Sequence, residues 1–382
     1  MDKPIRVLEV FHSVDCGGAE SMIMNLYRKI DRDKVQFDFL IHTTEKCFFE
    51  EEIKSLGGNI YRVPYYNVVN QHDYVRALRN LFENHPEISV VHGHVGSCAH
   101  LYLKIAKEYG CFTIAHSHST APSKVTLRNI AYRVFTFKTR RIADYFIGCG
   151  EAAGEYRFGS RIVHDKNRYS VLKNAIDVRR YTFDAKNREA VREEFRIGDK
   201  LLFGHVARFS YEKNHSFLID IFNEINQINP ETKLLLIGDG ELRSEIEKKV
   251  RNLHLEDAVI FAGIRNDVAR LLQGMEGFIF PSYYEGLPVT LVEAQAADLP
   301  CFISSTIPDE VKVTEDLVHS LDLKLQPRKW AEYILSTCSR RARRNRSVDI
   351  GNAGYDIENT SQWLQQFYLD KSTVYKRHRP QK

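Results

Sequence analysis

Short apolar runs alternate with amphipathic stretches along the first part of the chain. Apolar runs of strand length occupy residues 5–11, 35–41, 59–63, 88–92, 112–116 and 145–148. Stretches with helical spacing fall between them, at residues 19–30, 48–56, 74–84 and 99–109. This alternation predicts a parallel sheet with helices on both faces. Polar residues that follow such strands are expected to line a ligand crevice.

The same alternation begins again after a polar stretch at residues 184–200. Apolar runs then occupy residues 201–206, 233–237, 259–261 and 277–280, and helical patterns occupy residues 215–228, 241–252 and 268–274. A junction at residues 171–177 separates the two series. The sequence therefore predicts two doubly wound α/β domains, residues 1–177 and 178–350, with a closing helix at residues 362–369.

The pattern changes character within residues 280–301, where a strand gives way to a polar, aromatic loop and then to a helix that begins near Pro288. The amides of residues 289–291 would have no acceptor inside that helix, so its start is a ready anion site. Glu285 lies in the loop and Glu293 on the helix. Two carboxylates beside an anion site suit a ligand that carries both phosphates and sugar hydroxyls.

Two cations follow the strand at residues 201–206. Arg208 and Lys213 could neutralise a diphosphate leaving group, a task that a metal ion performs in other phosphate enzymes. Alternatively, both are ordinary surface charges in a polar loop. Residues 238–240 do not complete the G-x-G-x-x-G pattern and no Walker A motif is present. Residues 17–18, two glycines after the first strand, would let the backbone approach a ligand, or form a plain tight turn.

Two histidine pairs suggest a metal as an alternative. His92 and His94, like His116 and His118, are spaced by two and would share one face of an extended segment. Neither pair has a carboxylate or cysteine beside it in the sequence to complete a typical ligand set. The D-x-D pattern at residues 31–33 falls where a helix ends, which favours a solvated turn. We therefore expect no bound metal and no other cofactor.

Basic residues cluster in two segments. Residues 123–143 interleave cations with apolar and aromatic residues, a composition that suits either a helix on an anionic membrane surface or a core-packing helix with a basic outer side. The arginines of residues 340–346 indicate a solvated surface segment, which could also touch lipid headgroups. The net charge of +4 over 382 residues gives no reason to expect nucleic acid. Seven scattered cysteines, no signal-type leader and no apolar window long enough to span a membrane predict a cytoplasmic protein.

Taken as a set, the motifs resemble those of the retaining glycosyltransferases of family 4, particularly bacterial enzymes of capsular and exopolysaccharide synthesis. The resemblance extends from the first strand to about Ser304. Its specificity lies in the combination of Arg208 and Lys213 with the segment P-S-Y-Y-E-G-L-P-V-T-L-V-E-A, supported by G-G-A-E at residues 17–20, N-A-I-D at 174–177 and I-G-D-G-E at 237–241.

The resemblance implies a GT-B fold, in which two Rossmann-like domains face a central cleft. It implies an acceptor site in residues 1–177, a nucleotide-sugar site in residues 178–350, and a final helix, residues 357–370, that packs back on the first domain. The implied reaction is metal-independent transfer, with retention, from a UDP-sugar to a polyprenyl-diphosphate-linked glycan. This would take place at the inner face of the cell membrane, with residues 123–143 on the lipid.

The resemblance also implies roles for individual residues. Arg208 and Lys213 would hold the donor diphosphate, Glu293 the ribose and Glu285 the transferred sugar, with His116 beside the reacting sugar. The remaining donor contacts would come from Gly17, Gly18, Gly286, Leu287, Val289 and Thr290.

Asp298 departs from the family pattern, which has glycine before the apolar-Pro pair, and this leaves the nucleobase contact open. Two other functions share parts of the pattern. Nucleotide-sugar 2-epimerases have the same fold but generally lack the cation pair. A non-enzymatic sugar-nucleotide sensor would keep Glu293 but has no need of Lys213 or His116.

Overall fold

The computed structural model describes residues 3–15, 17–67, 69–118, 137–338 and 342–376. The chain divides into two compact units. Unit 1 comprises residues 1–175 and 357–382, and unit 2 comprises residues 176–356. The division falls two residues before the boundary that the sequence predicts.

Unit 1 is built on a seven-stranded parallel sheet with the order β3-β2-β1-β4-β5-β6-β7. Its strands are β1 Ile5–Val10, β2 Val35–Ile41, β3 Ile60–Arg62, β4 Ile88–Gly93, β5 Phe112–Ser117, β6 Tyr145–Gly148 and β7 Tyr169–Val171. Its helices are α1 Gly18–Lys29, α2 Glu50–Ser55, α3 Gln71–Asn84, α4 Ala99–Glu108, α5 Glu151–Phe158, α6 Ser160–Val163 and the C-terminal helix Ile357–Lys376. Residues 137–142 are also helical.

Unit 2 is built on a six-stranded parallel sheet with the order β10-β9-β8-β11-β12-β13. Its strands are β8 Leu201–Val206, β9 Thr232–Ile237, β10 Val259–Gly263, β11 Gly277–Phe280, β12 Cys301–Ser304 and β13 Val318–Leu321. Its helices are α7 Ala185–Glu194, α8 His215–Ile228, α9 Arg243–Asn252, α10 Val268–Gln273, α11 Val289–Ala296, α12 Pro327–Thr337 and α13 Ser347–Asn352. Single turns of 3-10 helix lie at Val178–Tyr181, Tyr211–Lys213 and Asp309–Val311.

Both sheets reverse their strand order beside their first strand. β1 pairs in parallel with β2 and β4, and β8 pairs in parallel with β9 and β11. This is the order of doubly wound, Rossmann-like sheets, which bind ligands at the carboxyl ends of the strands where the order reverses. The prediction of two Rossmann-like α/β domains is therefore confirmed.

Each sheet is covered on both faces, as the continuous apolar runs require. All seven residues of β2 are buried, which is typical of a parallel strand between two helical layers. In β1 the side chains alternate, so that Val7 and Leu8 enter separate hydrophobic cores on opposite faces. Helix α3 packs through Tyr74, Leu78, Leu81 and Phe82, at the spacing of an amphipathic helix.

The C-terminal helix belongs to unit 1 and extends beyond the predicted residues 357–370. Ile357, Leu364 and Tyr368 enter the same core as Val7. At the surface, Lys29 Nζ lies 2.7 Å from the Glu358 carboxylate. A helix from the end of the chain thus completes one face of the N-terminal sheet. The described part of the chain contains no helix that is long and apolar enough to cross a membrane.

Asp298 has a structural role away from the carboxyl ends of the strands. It follows α11 with a φ of 53°, the left-handed conformation that favours glycine. Its buried carboxylate accepts from the Arg346 guanidinium at 2.6 Å and from the Arg344 amide at 2.8 Å. Because Asp298 precedes β12, it lies at the amino edge of the sheet, so it does not shape the loops that follow the strands.

The sequence predicts that the arginines of residues 340–346 form a solvated surface segment, and this prediction is wrong for Arg343 and Arg346. Arg346 is buried and also pairs with Asp316 and Asp349. The Arg343 guanidinium donates to main-chain carbonyls, including that of Ala297 at 3.2 Å. These arginines anchor the chain between α12 and α13. Residues 339–341 lie outside the described residues.

Candidate active site

The loops after β8 and β11 are joined at the point where the strand order of unit 2 reverses. The Tyr283 amide donates to the Glu212 carbonyl at 2.8 Å. The Asn214 side chain donates to the Pro281 carbonyl at 3.0 Å. Asn214 has a φ of 56°, so the chain turns sharply between Lys213 and α8. These contacts bring two segments that are remote in sequence into one surface.

Lys213 and Glu285 form a close ion pair on that surface. Lys213 Nζ lies 2.7 Å and 2.8 Å from the two oxygens of Glu285, and 5.5 Å from the centre of the Phe280 ring. The two side chains are 19% and 9% exposed. An ammonium group has three donors, so Lys213 can hold Glu285 and still donate to a ligand oxygen.

Glu293 lies on α11 and is held by a tyrosine that the sequence did not single out. The Tyr181 hydroxyl donates to Glu293 Oε1 at 2.6 Å. Desolvation by the surrounding protein raises the pKa of Glu293, and the bond from Tyr181 opposes that rise. Since a carboxylate accepts at both oxygens, Oε2 can accept from a ligand while Oε1 is held. Tyr181 follows the N-A-I-D motif, but its spacing gives no signal of this contact.

Arg208 is the exposed cation of the site. Its side chain is 75% exposed, and its Nε lies 4.0 Å from a Glu241 oxygen, a separation at which a surface pair contributes little. The guanidinium is therefore free to meet an anion without first breaking a tight ion pair.

The G-D-G motif packs beneath the loop that carries Arg208. Gly238 has a φ of 133°, and a Cβ there would lie 2.1 Å from the Ala207 carbonyl oxygen. A Cβ at Gly240 would lie 2.5 Å from the Phe209 carbonyl oxygen. Both glycines allow two backbone segments to touch, so the motif shapes the loop after β8.

The start of α11 agrees in part with the predicted anion site. The helix begins at Val289, after Pro288. The Leu291 amide donates to the Pro288 carbonyl at 3.1 Å, so the prediction that this amide is free was wrong. The amides of Val289 and Thr290, which precede any intrahelical bond, remain candidate donors. Leu287 and Val289 pack their side chains against the core, and their backbones lie beside the loop.

Two of the predicted glycines border open space. A Cβ added at Gly286 or at Gly18 would find no heavy atom within 4 Å. In unit 1, Gly18 begins α1 and Gly17 is its N-cap, at the end of the loop that follows β1. A Cβ at Gly17 would meet only the end of the Glu20 side chain, at 2.1 Å. The missing side chains therefore leave room for a ligand beside Gly286 and Gly18.

His116 lies within a buried polar cluster in unit 1. His92 Nε2 lies 3.1 Å from His116 Nδ1, and His94 Nδ1 lies 2.7 Å from His118 Nε2. Glu9, inside β1, completes the cluster with an oxygen 2.7 Å from His94 Nε2. The expectation that no carboxylate accompanies the histidines was wrong, because Glu9 sits on the strand beside β4.

Burial dominates the electrostatics of this cluster. It lowers the pKa of His92 and of His118 to about 3, and that of His116 well below the ordinary value. The histidines are therefore neutral at physiological pH. Donor atoms of His92, His94 and His116 lie within 4.8 Å of one another, close enough to share a metal ion. The absence of a catalytic metal stays a prediction.

The predicted site residues thus fall into three groups. Lys213 and Glu285 are in contact, Glu293 lies on the helix that follows Glu285, and the remaining predicted donor contacts lie between these two carboxylates: Gly286, Leu287, Val289 and Thr290. Arg208 follows the same strand as Lys213, but its Nε lies 4.0 Å from a Glu241 oxygen. Gly17, Gly18 and His116 belong to unit 1.

Each unit is doubly wound, and cations and carboxylates lie at the switch point of the second. The family described as glycosyl transferases group 1 matches residues 187–354. The family described as glycosyltransferase family 4 matches residues 16–180. The chain belongs to the glycosyltransferases, and the predicted family is confirmed.

Individual relatives agree with this assignment. The Bacillus subtilis protein that bears the name glycosyltransferase EpsF is 37% identical over 364 residues, which cover 92% of this chain and 93% of EpsF. The capsular polysaccharide biosynthesis glycosyltransferase CapH of Staphylococcus aureus is 23% identical, covering 96% of this chain and 99% of CapH. An Escherichia coli UDP-Gal:α-D-GlcNAc-diphosphoundecaprenol α-1,3-galactosyltransferase is 29% identical over 37% of this chain and 38% of its own length.

The crystal structure of Anabaena HepE in complex with UDP has the same fold. It superposes with a TM-score of 0.72 at 16% identity, covering 97% of this chain and 98% of HepE. At this level of identity the likeness concerns the fold alone.

Proposed function

We propose that the chain is a retaining glycosyltransferase that moves a sugar from a UDP-sugar to a polyprenyl-diphosphate-linked glycan during capsular or exopolysaccharide synthesis. The observation that carries the proposal is the Lys213–Glu285 pair, 2.7 Å apart, at the switch point of unit 2. It joins a cation to a carboxylate directly before α11, the helix that carries Glu293. This combination of charges suits a diphosphate next to a sugar, because the cation can meet the phosphates and the carboxylate can accept from hydroxyls.

The donor is bound through opposite charges and through hydroxyl acceptors. Arg208 and Lys213 hold the diphosphate, and the Val289 and Thr290 amides add the positive end of a helix. Glu293 Oε2 accepts from the ribose. Glu285, oriented by Lys213, accepts from hydroxyls of the transferred sugar, and the open space beside Gly286 admits that sugar.

The chemical step needs the nucleoside diphosphate to leave. Charge develops on the diphosphate as its bond to the anomeric carbon breaks, and fixed cations that meet this charge lower the barrier. Arg208 and Lys213 supply them, so no metal ion is required. The acceptor hydroxyl attacks from the face that the diphosphate leaves, which retains the anomeric configuration, and its proton passes to the departing diphosphate oxygen. Within unit 1, the open space beside Gly18 and the buried Nε2 of His116, which has no hydrogen-bond partner among the described residues, are candidate ligand contacts.

The choice of donor and acceptor rests on relatives. The E. coli relative bears a name that specifies UDP-galactose and a diphosphoundecaprenol-linked acceptor. CapH, which matches along its whole length, is named for capsular polysaccharide biosynthesis.

An acceptor of this kind is a lipid, so the protein works at the inner face of the cell membrane. Within the described part of residues 123–143, Lys138 and Arg141 are exposed and Phe137 is half exposed, a combination that suits an anionic surface. Arg140 is turned inward, since its guanidinium donates to the Arg157 carbonyl at 3.1 Å. Residues 123–136 lie outside the described residues. Charge reversal at Lys138 and Arg141 should weaken sedimentation with anionic vesicles, and unchanged sedimentation would contradict membrane binding by this segment.

Product stereochemistry and donor binding test the proposal together. Calorimetry in EDTA should detect UDP binding to the wild type and at least about tenfold weaker binding to Glu293→Gln, because one ribose acceptor is lost. The anomeric coupling of the new linkage, measured by NMR on the isolated product, should match that of the donor sugar. An inverted linkage, or UDP binding that is lost in EDTA and restored by manganese, would overturn the mechanism.

A further inference from the structure

A chain of buried polar groups links the C-terminal helix to His116. The Tyr368 hydroxyl donates to Glu9 Oε1 at 3.0 Å. His92 Nδ1 lies 2.6 Å from the same hydroxyl, and His92 Nε2 lies 3.1 Å from His116 Nδ1. All four side chains are fully buried. The chain therefore runs within unit 1 from Glu9, through Tyr368 and His92, to His116.

Each bond in this chain fixes the direction of the next one. A tyrosine hydroxyl has one proton, and Tyr368 gives it to Glu9, so the hydroxyl oxygen must accept from His92 Nδ1–H. A neutral imidazole has one N–H, so His92 Nε2 is an acceptor and takes the proton of His116 Nδ1–H. His116 Nε2 is then left as an unprotonated acceptor. The lowered pKa values of both histidines agree with neutral rings.

We infer that Tyr368 is a positioning residue that holds His116 in the tautomer whose Nε2 accepts a hydrogen bond. His116 Nε2 is buried and has no hydrogen-bond partner among the described residues. A buried acceptor without a donor is costly, and a sugar hydroxyl would satisfy it. The identity of this hydroxyl rests on the proposed function, whereas the tautomer of His116 does not.

A second branch leaves Glu9 in the other direction. Glu9 Oε2 lies 2.7 Å from His94 Nε2, and His94 Nδ1 lies 2.7 Å from His118 Nε2. Burial raises the pKa of Glu9 well above its ordinary value. A proton on Oε2 is shared with His94 and leaves Oε1 as the acceptor for Tyr368. Only a proton on Oε1 would reverse the first branch, and His116 Nε2 would then be a donor.

The nearby charge is Arg157, which is also buried and donates to the main-chain carbonyl of His116. Its positive charge lowers the pKa of His116 and of His118, in addition to burial. It therefore favours the neutral rings on which the direction of the chain depends.

The test reads the tautomer directly. In protein labelled with 15N-histidine, long-range 1H–15N correlation distinguishes Nδ1–H from Nε2–H, and the His116 signals are assigned by their loss in His116→Gln. The wild type should show His116 protonated at Nδ1. In Tyr368→Phe, His92 Nδ1 loses its close acceptor at 2.6 Å and keeps only the Glu9 oxygen at 3.5 Å, so the His116 pattern should shift to Nε2–H or to a mixture.

A matched control removes a different buried hydroxyl from the same core. Tyr27 packs in the cluster that contains Tyr368, and its hydroxyl donates to the Leu56 carbonyl at 3.1 Å. Tyr27→Phe should leave the His116 pattern unchanged, so a shift in both variants would indicate a general packing effect and overturn the inference. His116 protonated at Nε2 in the wild type would also overturn it. Because the wild-type spectrum decides this point alone, the test survives misfolding of Tyr368→Phe.

Transfer kinetics provide the second readout. Tyr368→Phe should lower kcat at least about tenfold, with the donor KM changed less than about threefold, since a wrongly oriented imidazole affects the reaction more than ground-state binding. An unchanged kcat would contradict the positioning role. If the wild type shows the expected tautomer but transfers no sugar, the proposed function fails and the assignment of Tyr368 stands.

Discussion

Replacing Lys213 by methionine should separate the role of this residue in catalysis from its role in stability. The substitution keeps the hydrocarbon stem against Phe280 and removes the ammonium group, which lies 2.7 Å and 2.8 Å from Glu285. Glu285 is then an unpaired carboxylate that is 9% exposed. Two consequences follow, one for the folded state and one for the transition state.

The stability effect follows from the unpaired carboxylate. Breaking a buried pair costs about 3–5 kcal/mol, and the residual exposure of both side chains reduces this to about 2–3 kcal/mol. For a domain of this size that corresponds to a fall in Tm of about 5–10 °C. The double variant Lys213→Met/Glu285→Gln has no unpaired charge and should recover most of the loss.

The catalytic effect should not recover in the double variant. Loss of one preorganised donor to developing charge lowers kcat by about 10²–10³, which corresponds to about 3–4 kcal/mol of transition-state stabilisation. Both variants are assayed by release of UDP in the presence of acceptor. Lys249→Met is the control, because Lys249 pairs with Asp220 at 2.7 Å on the helical surface of unit 2 and should affect neither kcat nor donor KM. Transfer within about threefold of wild type in Lys213→Met would refute the assigned role.

Three further substitutions test other parts of the structure. Tyr181→Phe removes the hydrogen bond that opposes the raised pKa of Glu293, so the pKa of Glu293 should rise further. The donor KM should therefore rise, and more strongly at acid pH, where Glu293 becomes protonated. A pH profile of KM parallel to that of the wild type would contradict this. Gly238→Ala places a Cβ 2.1 Å from the Ala207 carbonyl oxygen, at a φ of 133° that alanine rarely adopts. The Tm should fall by about 5 °C or more. An unchanged Tm would argue against the packing role of Gly238. Arg346→Leu removes the guanidinium that lies 2.6 Å from the buried Asp298 carboxylate and should destabilise unit 2 by about 3–5 kcal/mol in denaturant titration. Adding Asp298→Gly, which removes the charge and suits the positive φ, should restore part of that loss, and no recovery would contradict the pairing.

Most of the fold could be predicted because its strands are buried on both faces. Runs such as Val35–Ile41 are mostly apolar and buried throughout, and they stand out against amphipathic helices such as Gln71–Asn84. The strand at Tyr169–Val171 escaped detection because it has three residues, of which one is buried. Val318–Leu321 was missed for a similar reason, because only one of its four residues is buried and it lies at the edge of its sheet.

The site could be predicted only as far as its residues follow strands in a local motif. Arg208, Lys213, Glu285 and Glu293 were found from their positions after β8 and β11. Lys213 and Glu285 are 72 residues apart in sequence. Their pairing cannot be predicted from the spacing of residues within either loop. Glu9 was missed because it sits inside an apolar strand, where its partner is supplied by the neighbouring strand.

Asp298 shows a different limit of the sequence. Asp298 departs from the family motif in the stretch that contains Glu285 and Glu293, and its position there suggests a role in the donor pocket. The carboxylate instead meets Arg346, which lies 48 residues later and holds it at the opposite edge of the sheet. A motif gives the order of residues along the chain. It does not show whether a residue lies at the carboxyl edge or the amino edge of the sheet, because that depends on where the connecting helix ends.

The central claim is metal-independent transfer from a nucleotide sugar to a lipid-linked acceptor. The most direct measurement is the release of UDP from a panel of UDP-sugars in EDTA, with and without a polyprenyl-diphosphate-linked glycan. The structure leads us to expect release that depends on the acceptor for at least one UDP-sugar, and its loss in Lys213→Met. Absence of acceptor-dependent release across the panel in EDTA, with activity appearing only on addition of a divalent cation, would contradict the account.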